Sequence, residues 1–384
     1  MWFNRDFNVK TPGSLPIKVL RGPRQVGKTS LLVKASGFEL VSLDDPSLRR
    51  IIQEDPRTFL DQKASKLILD EAPLAPALFG ELKRRIDEER RTGSIKSDFW
   101  LTGSNQTLMK KNVGESLAGR ASFFDLNTLS VHEIGSFNLQ EQCLRGGWPD
   151  LRAHNELDPV RYLNDLISSF VERDIAMAAG IEKLSAFQLV LQLNAGRTGQ
   201  LYVASEVSRL ASIDLTTVQS WNLLLQQNGL IDLLQPFSNN ANKRLIKSPK
   251  LFFHDVSFAV RLQGWTDFSP LYVSPQMGHL FENIVYTEIH RSIINRSKTA
   301  KIYHLRSKEK VEVDFLVALP NQKYLAIEAK MNPRPFNKEQ YALLKSLKLP
   351  IVDHVVVSLR SDIPIPDATH IGIDGLWETL GKYL

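Results

Sequence analysis

The run Gly22-Pro23-Arg24-Gln25-Val26-Gly27-Lys28-Thr29 constrains this chain more than any other feature. It fits G-x-x-x-x-G-K-[ST] without a departure, and it stands between a short apolar run, Ile17 to Leu20, and a helix-like stretch from Lys28. Glycines let backbone N–H groups turn inward around phosphate oxygens, and the helix N-terminus behind them adds partial positive charge. Such a loop needs a strand before it and a helix after it, so its surroundings must be α/β. Residues 15–130 agree. Apolar runs at Glu39–Leu43, Leu67–Leu69, Phe99–Leu101 and Ser122–Leu126 alternate with helix-length segments. That is the pattern of a doubly covered parallel sheet. Ligands of such sheets sit beyond the carboxyl ends of the strands, so the polar residues there are the first candidates.

Gly22, Pro23, Arg24, Gln25, Val26, Gly27, Lys28, Thr29 and Ser30 form the candidate nucleotide-binding set. Lys28 has the reach for β- and γ-phosphates, and the Thr29 hydroxyl suits Mg²⁺. Leu67-Ile68-Leu69-Asp70-Glu71 supplies the acidic strand end the loop calls for. Asp70 would hold Mg²⁺ through its water shell, and Glu71 would orient and polarise an attacking water. Beyond the fourth strand, Asn105, with Ser104 second, is the candidate for the γ-phosphate or that water; a helix cap is the alternative. Arg120 reads as an arginine finger or sensor arginine, or as one half of a surface ion pair.

The 384 residues predict two or three domains. With 43% hydrophobic and 23% charged residues the chain is an ordinary globular one, and a net charge of +6 permits nucleic acid as a partner without arguing for it. The single cysteine, Cys143, excludes an internal disulfide and a four-cysteine zinc site. No apolar run reaches the roughly 18 residues of a membrane span, and the first residues show no apolar signal core. A reducing, cytoplasmic setting is expected, with no membrane contact.

Four segments follow: a P-loop core over 1–130, a helical region over 131–196, a winged helix over 197–264 and, after a proline-bearing linker, a second α/β domain over 277–384. In 197–264 a helix at Val203–Leu210, a turn, a helix from Leu215 to about Asn228 and a hairpin through Ser238-Asn239-Asn240-Ala241-Asn242 give the winged-helix layout. On the second helix Thr216, Thr217, Gln219, Ser220 and Asn222 form a polar set suited to base edges, and Lys243, Arg244, Lys247 and Lys250 of the hairpin suit phosphate. The helix itself has no Lys or Arg, so DNA contact and protein contact both stand as readings.

In 277–384, Asp314 lies on one strand of a hairpin and Glu328-Ala329-Lys330 on the next. This resembles the active-site pattern of the PD-(D/E)xK nuclease superfamily. Glu328 and Lys330, two apart on a strand, share a face. The resemblance implies that Asp314 and Glu328 ligate Mg²⁺ with a neighbouring carbonyl, that Glu282 is the accessory acid, and that Lys330 positions or activates water. Arg291, Arg296, Lys298, Lys301, Arg306, Lys308 and Lys310 suggest a basic face beside that site. An active nuclease and a degenerate fold that only binds are both compatible with so short a pattern.

The loop residues, with Ser42-Leu43-Asp44-Asp45, Leu69-Asp70-Glu71, Leu101-Thr102-Gly103-Ser104, Gly146-Gly147-Trp148-Pro149, Val171-Glu172-Arg173-Asp174-Ile175, Lys243 to Lys250, Phe281-Glu282-Asn283 and Val313-Asp314-Phe315, make nearly the whole chain similar to the predicted AAA+-superfamily ATPases of bacteria and archaea. These pair an ATPase module with a C-terminal region of unknown function. Trp148 departs from the Phe or Tyr usual there. The resemblance implies ATP and Mg²⁺ as cofactors and ATP hydrolysis. Around that core two readings stand: an ATPase coupled to a DNA-binding, nuclease-like region, or a nucleotide-state switch whose inactive nuclease-like fold binds DNA or a protein. Self-association as a homo-oligomer fits either.

Overall fold

Five short strands stand beside the phosphate loop: β1 (Ile17–Arg21), β2 (Glu39–Ser42), β3 (Lys66–Asp70), β4 (Asp98–Thr102) and β5 (Ala121–Asp125). The computed structural model describes all residues except 12, 104–108, 110–112, 115, 178, 239–246 and 362, and only the backbone of 172–174 and 177. The chain divides into two compact units, Arg5–Asn127 with Ser168–Glu182, and Met1–Asn4, Thr128–Ile167 and Lys183–Leu384.

In the loop unit the strands are all parallel, in the order β2-β3-β4-β1-β5. Ile17 and Val19 of β1, Leu67 and Leu69 of β3, and Phe99 and Leu101 of β4 are buried in one core with helix residues. Helix α1 (Lys28–Ser36) starts at Gly27, and α2 (Ala77–Thr92) buries Leu78, Leu82 and Ile86 at four-residue spacing before Gly93 ends it at φ 72°. The order puts β4 between the loop strand β1 and the Asp70 strand β3, so its carboxyl end falls beside both. Asn105 and Ser104, just beyond it, lie outside the described residues.

The second unit is built around a buried polar knot. Asp255 accepts hydrogen bonds from Thr128 Oγ1 (2.8 Å) and Gly147 N (2.9 Å) and pairs with Arg291 at 3.2 Å. The glycine pair makes room for that carboxylate: a Cβ on Gly146 would lie 1.9 Å from Asp255 Oδ1. Trp148 keeps the polar side of the arrangement, donating from its indole to Ser257 Oγ at 3.2 Å.

Helices α3 (Ala204–Ala211) and α4 (Leu215–Gln227) precede the antiparallel strands β6 (Ile231–Leu234) and β7 (Lys250–Phe253). On α4 Val218, Trp221 and Leu225 are buried, as the periodicity requires, but so is Asn222. Its side chain accepts from Asn194 Nδ2 (2.8 Å) and donates to the Tyr202 hydroxyl (2.6 Å), so Asn222 belongs to the core and not to the exposed polar set. Thr216, Gln219 and Ser220 are exposed. Lys243 and Arg244 lie outside the described residues.

Helix α5 (Met277–Asn295) leads into β8 (Lys301–Arg306), β9 (Glu312–Ala318), β10 (Tyr324–Lys330), β11 (Ile351–Ser358) and β12 (Thr369–Gly372), with α6 (Lys338–Ser346) between β10 and β11. The sheet order is β12-β11-β10-β9-β8; β8 to β10 form an antiparallel meander, and β11 and β12 continue parallel to β10. Among the described residues no helix is long and apolar enough to cross a membrane.

Candidate functional site

The phosphate loop is shaped by two glycines. Gly22 adopts φ 149°, and a Cβ there would lie 2.1 Å from the Leu126 carbonyl oxygen; Gly27 adopts φ 86° where the loop enters α1. Lys28 is buried and donates to the carbonyls of Gly22 (2.9 Å) and Pro23 (2.7 Å), which places its ammonium inside the ring of the loop. Thr29 Oγ1 donates to Asp70 Oδ1 at 2.8 Å, and the Thr102 hydroxyl donates to the same oxygen. A hydroxyl and a carboxylate side by side at the mouth of a phosphate loop are the hard oxygen donors Mg²⁺ requires, so this donor set fits Mg·ATP. Glu71 follows Asp70 directly, in the left-handed region at φ 52°. Pro23 and Val26 are buried, Arg24 is half-buried, and Gln25 and Ser30 are exposed.

Two positioning residues of this loop escape sequence reading. Arg5 donates to the Val26 carbonyl (2.9 Å) and the Asn127 carbonyl (2.6 Å), tying the loop to the end of β5. Nothing in the local pattern around Arg5 announces this. Thr102, by contrast, is the last residue of a buried strand and polar there, a signal of the same kind as Asp70.

Arg120 forms the ion pair that one of its two readings expects. β5 runs parallel to β1 with Ala121 beside Ile17 and Asp125 beside Arg21, so Arg120 sits at the far end of the sheet, a strand length of roughly 16 Å from the loop. Its guanidinium forks onto Asp87 at 2.7 and 2.8 Å. The ion-pair reading describes it, and it does not reach the phosphate loop of its own chain.

The second site is an acidic pocket of about 520 Å³, lined by residues from β7, α5, β9 and β10. Asp314 and Glu328 are neighbours across β9 and β10 and both are buried. The Asp314 N–H donates to Glu328 Oε1 (3.0 Å), and the Ala329 N–H donates to Asp314 Oδ2 (2.9 Å). Lys330 lies 2.5 Å from Glu328 Oε2 and 3.3 Å from Asp314 Oδ2. Glu282 projects from α5 into the same pocket.

Two further residues complete it. Glu312 shares a strand face with Asp314, two positions away, and the donor atoms of Glu282, Glu312 and Asp314 all lie within 4.8 Å of one another. Lys250 is a correction: it is not an exposed phosphate contact but a buried residue of β7. Its ammonium lies 2.7 Å from Glu282 Oε1 and also pairs with Glu312 Oε1. The three apolar residues after it, Leu251-Phe252-Phe253, are the sequence signal that this strand is buried.

Burial works against a charged Lys250, but Glu282, Asp314 and Glu312 together outweigh it and hold the ammonium protonated well above the usual lysine range. Burial pushes the Glu282 carboxyl up, against the pull of Lys250; burial and Asp314 do the same to Glu328. The proposed basic face loses two members. Arg291 is buried between Glu288 (2.7 Å) and Asp255, and Arg306 pairs with Glu312 (2.7 Å).

Among the histidines, which stand apart in sequence, His254 meets His290 and Asp232 with donor atoms within 4.8 Å of one another. Asp232 is engaged there by the Tyr286 hydroxyl at 2.5 Å and by His254 at 3.5 Å. The Cys143 thiol is buried, and burial pushes it up to about 12, so it is inert.

A family model described as an AAA domain matches residues 14–135, and models described as domains of unknown function match residues 136–269 and 277–372. An uncharacterized protein of Mycobacterium tuberculosis is 27% identical over 341 residues, covering 88% of this chain and 74% of its own. An uncharacterized protein of Methanocaldococcus jannaschii is 21% identical, covering 96% and 88%. Among solved structures, a Walker-type ATPase of Pyrococcus abyssi aligns with 65% of this chain and 91% of its own at 14% identity and a TM-score of 0.39. Residues 14–135 are an AAA+-like P-loop ATPase module, with the homology that accompanies ATP binding. The region that follows it matches domains of unknown function.

Proposed function

We propose that the chain is a Mg²⁺-dependent ATP-hydrolysing AAA+-like ATPase coupled to a DNA-binding, nuclease-like C-terminal region. In this reading 1–130 is the ATPase core, 131–196 a helical connection, 197–264 a winged helix and 277–384 the nuclease-like fold. The observation that carries it is the cradle: Lys28 inside the loop and Thr29 bonded to Asp70 at 2.8 Å. Lys28 and the loop amides hold the phosphates, Thr29 and, through its water shell, Asp70 would hold Mg²⁺, and Glu71 orients and polarises the attacking water. The metal, when bound, supplies charge neutralisation across the β- and γ-phosphates. Asn105 is the proposed contact to the γ-phosphate.

Lys28→Ala is expected to abolish ATP binding measured by calorimetry, because ammonium and amides act on the same phosphates. Glu71→Gln is expected to keep the affinity and to slow hydrolysis by about 10²-fold or more, since water activation alone is lost. Unimpaired ATP affinity in Lys28→Ala would remove the assignment.

For the C-terminal fold a second reading, binding of DNA or a protein without cleavage, is favoured by one observation. Glu282, Glu312, Asp314 and Glu328 are each already paired with a lysine or arginine of the chain.

A further inference from the structure

We infer that the Lys250 ammonium is the resident cation of the acidic pocket, and that the pocket as built does not load a divalent metal. The inference rests on reading β8–β12 as a nuclease-like sheet and concerns what its acidic cluster holds.

A metal-dependent nuclease site gathers carboxylates around an ion that supplies the balancing charge. Here four carboxylates, Glu282, Glu312, Asp314 and Glu328, face three cationic side chains, Lys250, Arg306 and Lys330. The cluster is therefore within one charge of neutral without any ion. Lys250 engages Oε1 of both Glu282 and Glu312, Arg306 engages the other oxygen of Glu312, and Lys330 engages Asp314 Oδ2, so an ion ligated by these three acids must compete with cations already seated on them. The Asp314 and Glu328 carboxylates likewise accept N–H donors from Ala329 and Asp314 at 2.9 and 3.0 Å.

Lys250 is also hard to displace. It is 2% exposed, its strand pairs with β6, and its backbone bridges to Leu201. A tethered ammonium loses no translational freedom on binding, whereas Mg²⁺ must shed tightly held water. The residue that pairs these acids comes from β7, outside the β8–β12 sheet, so the pair joins two parts of the unit as it fills the pocket. The pocket of this chain thus does not fit the metal its motif implies.

The test is Mn²⁺ titration into the nucleotide-free full-length chain, with free ion read by electron paramagnetic resonance. The Thr29–Asp70 pair is common to every variant and cancels. The wild type is expected to show no binding that depends on Glu282 or Asp314. Lys250→Met, which keeps the apolar stem and removes the charge, is expected to gain one ion per chain over the wild type, bound at least about tenfold tighter than any wild-type binding that depends on Glu282 or Asp314, because affinity follows uncompensated ligand charge. Lys250→Met with Glu282→Gln should lose it again.

Mn²⁺ binding by the wild type that Glu282→Gln or Asp314→Asn abolishes would overturn the inference. So would a folded Lys250→Met chain that gains no ion over the wild type. If Lys250→Met does not fold, the wild type against Asp314→Asn decides alone. Failure of the broader reading looks different: ATP or DNA binding would be missing from the same preparations, whatever the Mn²⁺ result.

Discussion

His304 on β8 shows how one buried ring writes a pH dependence into the fold. It is fully buried, and its Nε2 lies 3.0 Å from the Ser248 carbonyl, so that nitrogen carries the proton and donates. Burial, with the positive charge of Lys250 added, pushes the imidazole down to about 4. In the unfolded chain the ordinary value is about 6.5. Between those two values the unfolded chain binds a proton that the folded chain refuses, so stability falls as pH drops from about 6.5 to about 4, by about 3 kcal/mol in all. Urea unfolding at pH 7.5 and 4.5 should show this loss, and His304→Gln, which keeps a donor for Ser248, should lack most of it. Equal slopes in both proteins would refute the assignment. Single residues were legible in the sequence where their partners were close by, as in Gly22–Thr29. Lys250, Glu282 and Glu312 meet across some sixty residues of chain, and no local pattern encodes such a meeting.

At the scale of elements, the loop at Gly146-Gly147 does for packing what Gly22 does for phosphate: it lets a backbone approach a polar group. Gly146→Ala places a methyl 1.9 Å from Asp255 Oδ1 at a φ of 59°, and so presses on the carboxylate that joins Thr128, Gly147 and Arg291. A loss of about 3 kcal/mol or more is expected, since a buried ionic network is displaced. Gly278→Ala, where a Cβ meets nothing within 4 Å, is the control and should change the urea midpoint little. Most strands and helices could be read from periodicity, including the five parallel strands of the loop unit. Asn222 sets residue type against spacing, and spacing prevails: Val218, Trp221, Asn222 and Leu225 form one inner stripe at three- and four-residue steps. β12 carries no strand signal, because Thr369-His370-Ile371-Gly372 has neither alternation nor an apolar run.

For the whole molecule, the chain leaves the loop unit after Asn127, returns for Ser168–Glu182 and leaves again, so covalent links between the units are several. Helical periodicity runs through this region without a mark of the return, which is why sequence alone does not disclose it. If nucleotide state governs the C-terminal region, linkage requires the reverse effect as well. ATP affinity in Glu71→Gln should then change about 5–150-fold when duplex or branched DNA saturates the chain. A factor of one, with DNA shown to be bound, would mean that DNA does not regulate the ATPase. The family-model boundary at residue 277 invites study of the last hundred residues as an excised fragment. Such a fragment keeps Glu282, Glu312, Asp314 and Glu328 and leaves Lys250 behind. Arg306 and Lys330 stay with it, but the one cation that bridges Glu282 and Glu312 is gone, so an ion or a trace of nicking seen in the fragment would belong to the scissors and not to the protein.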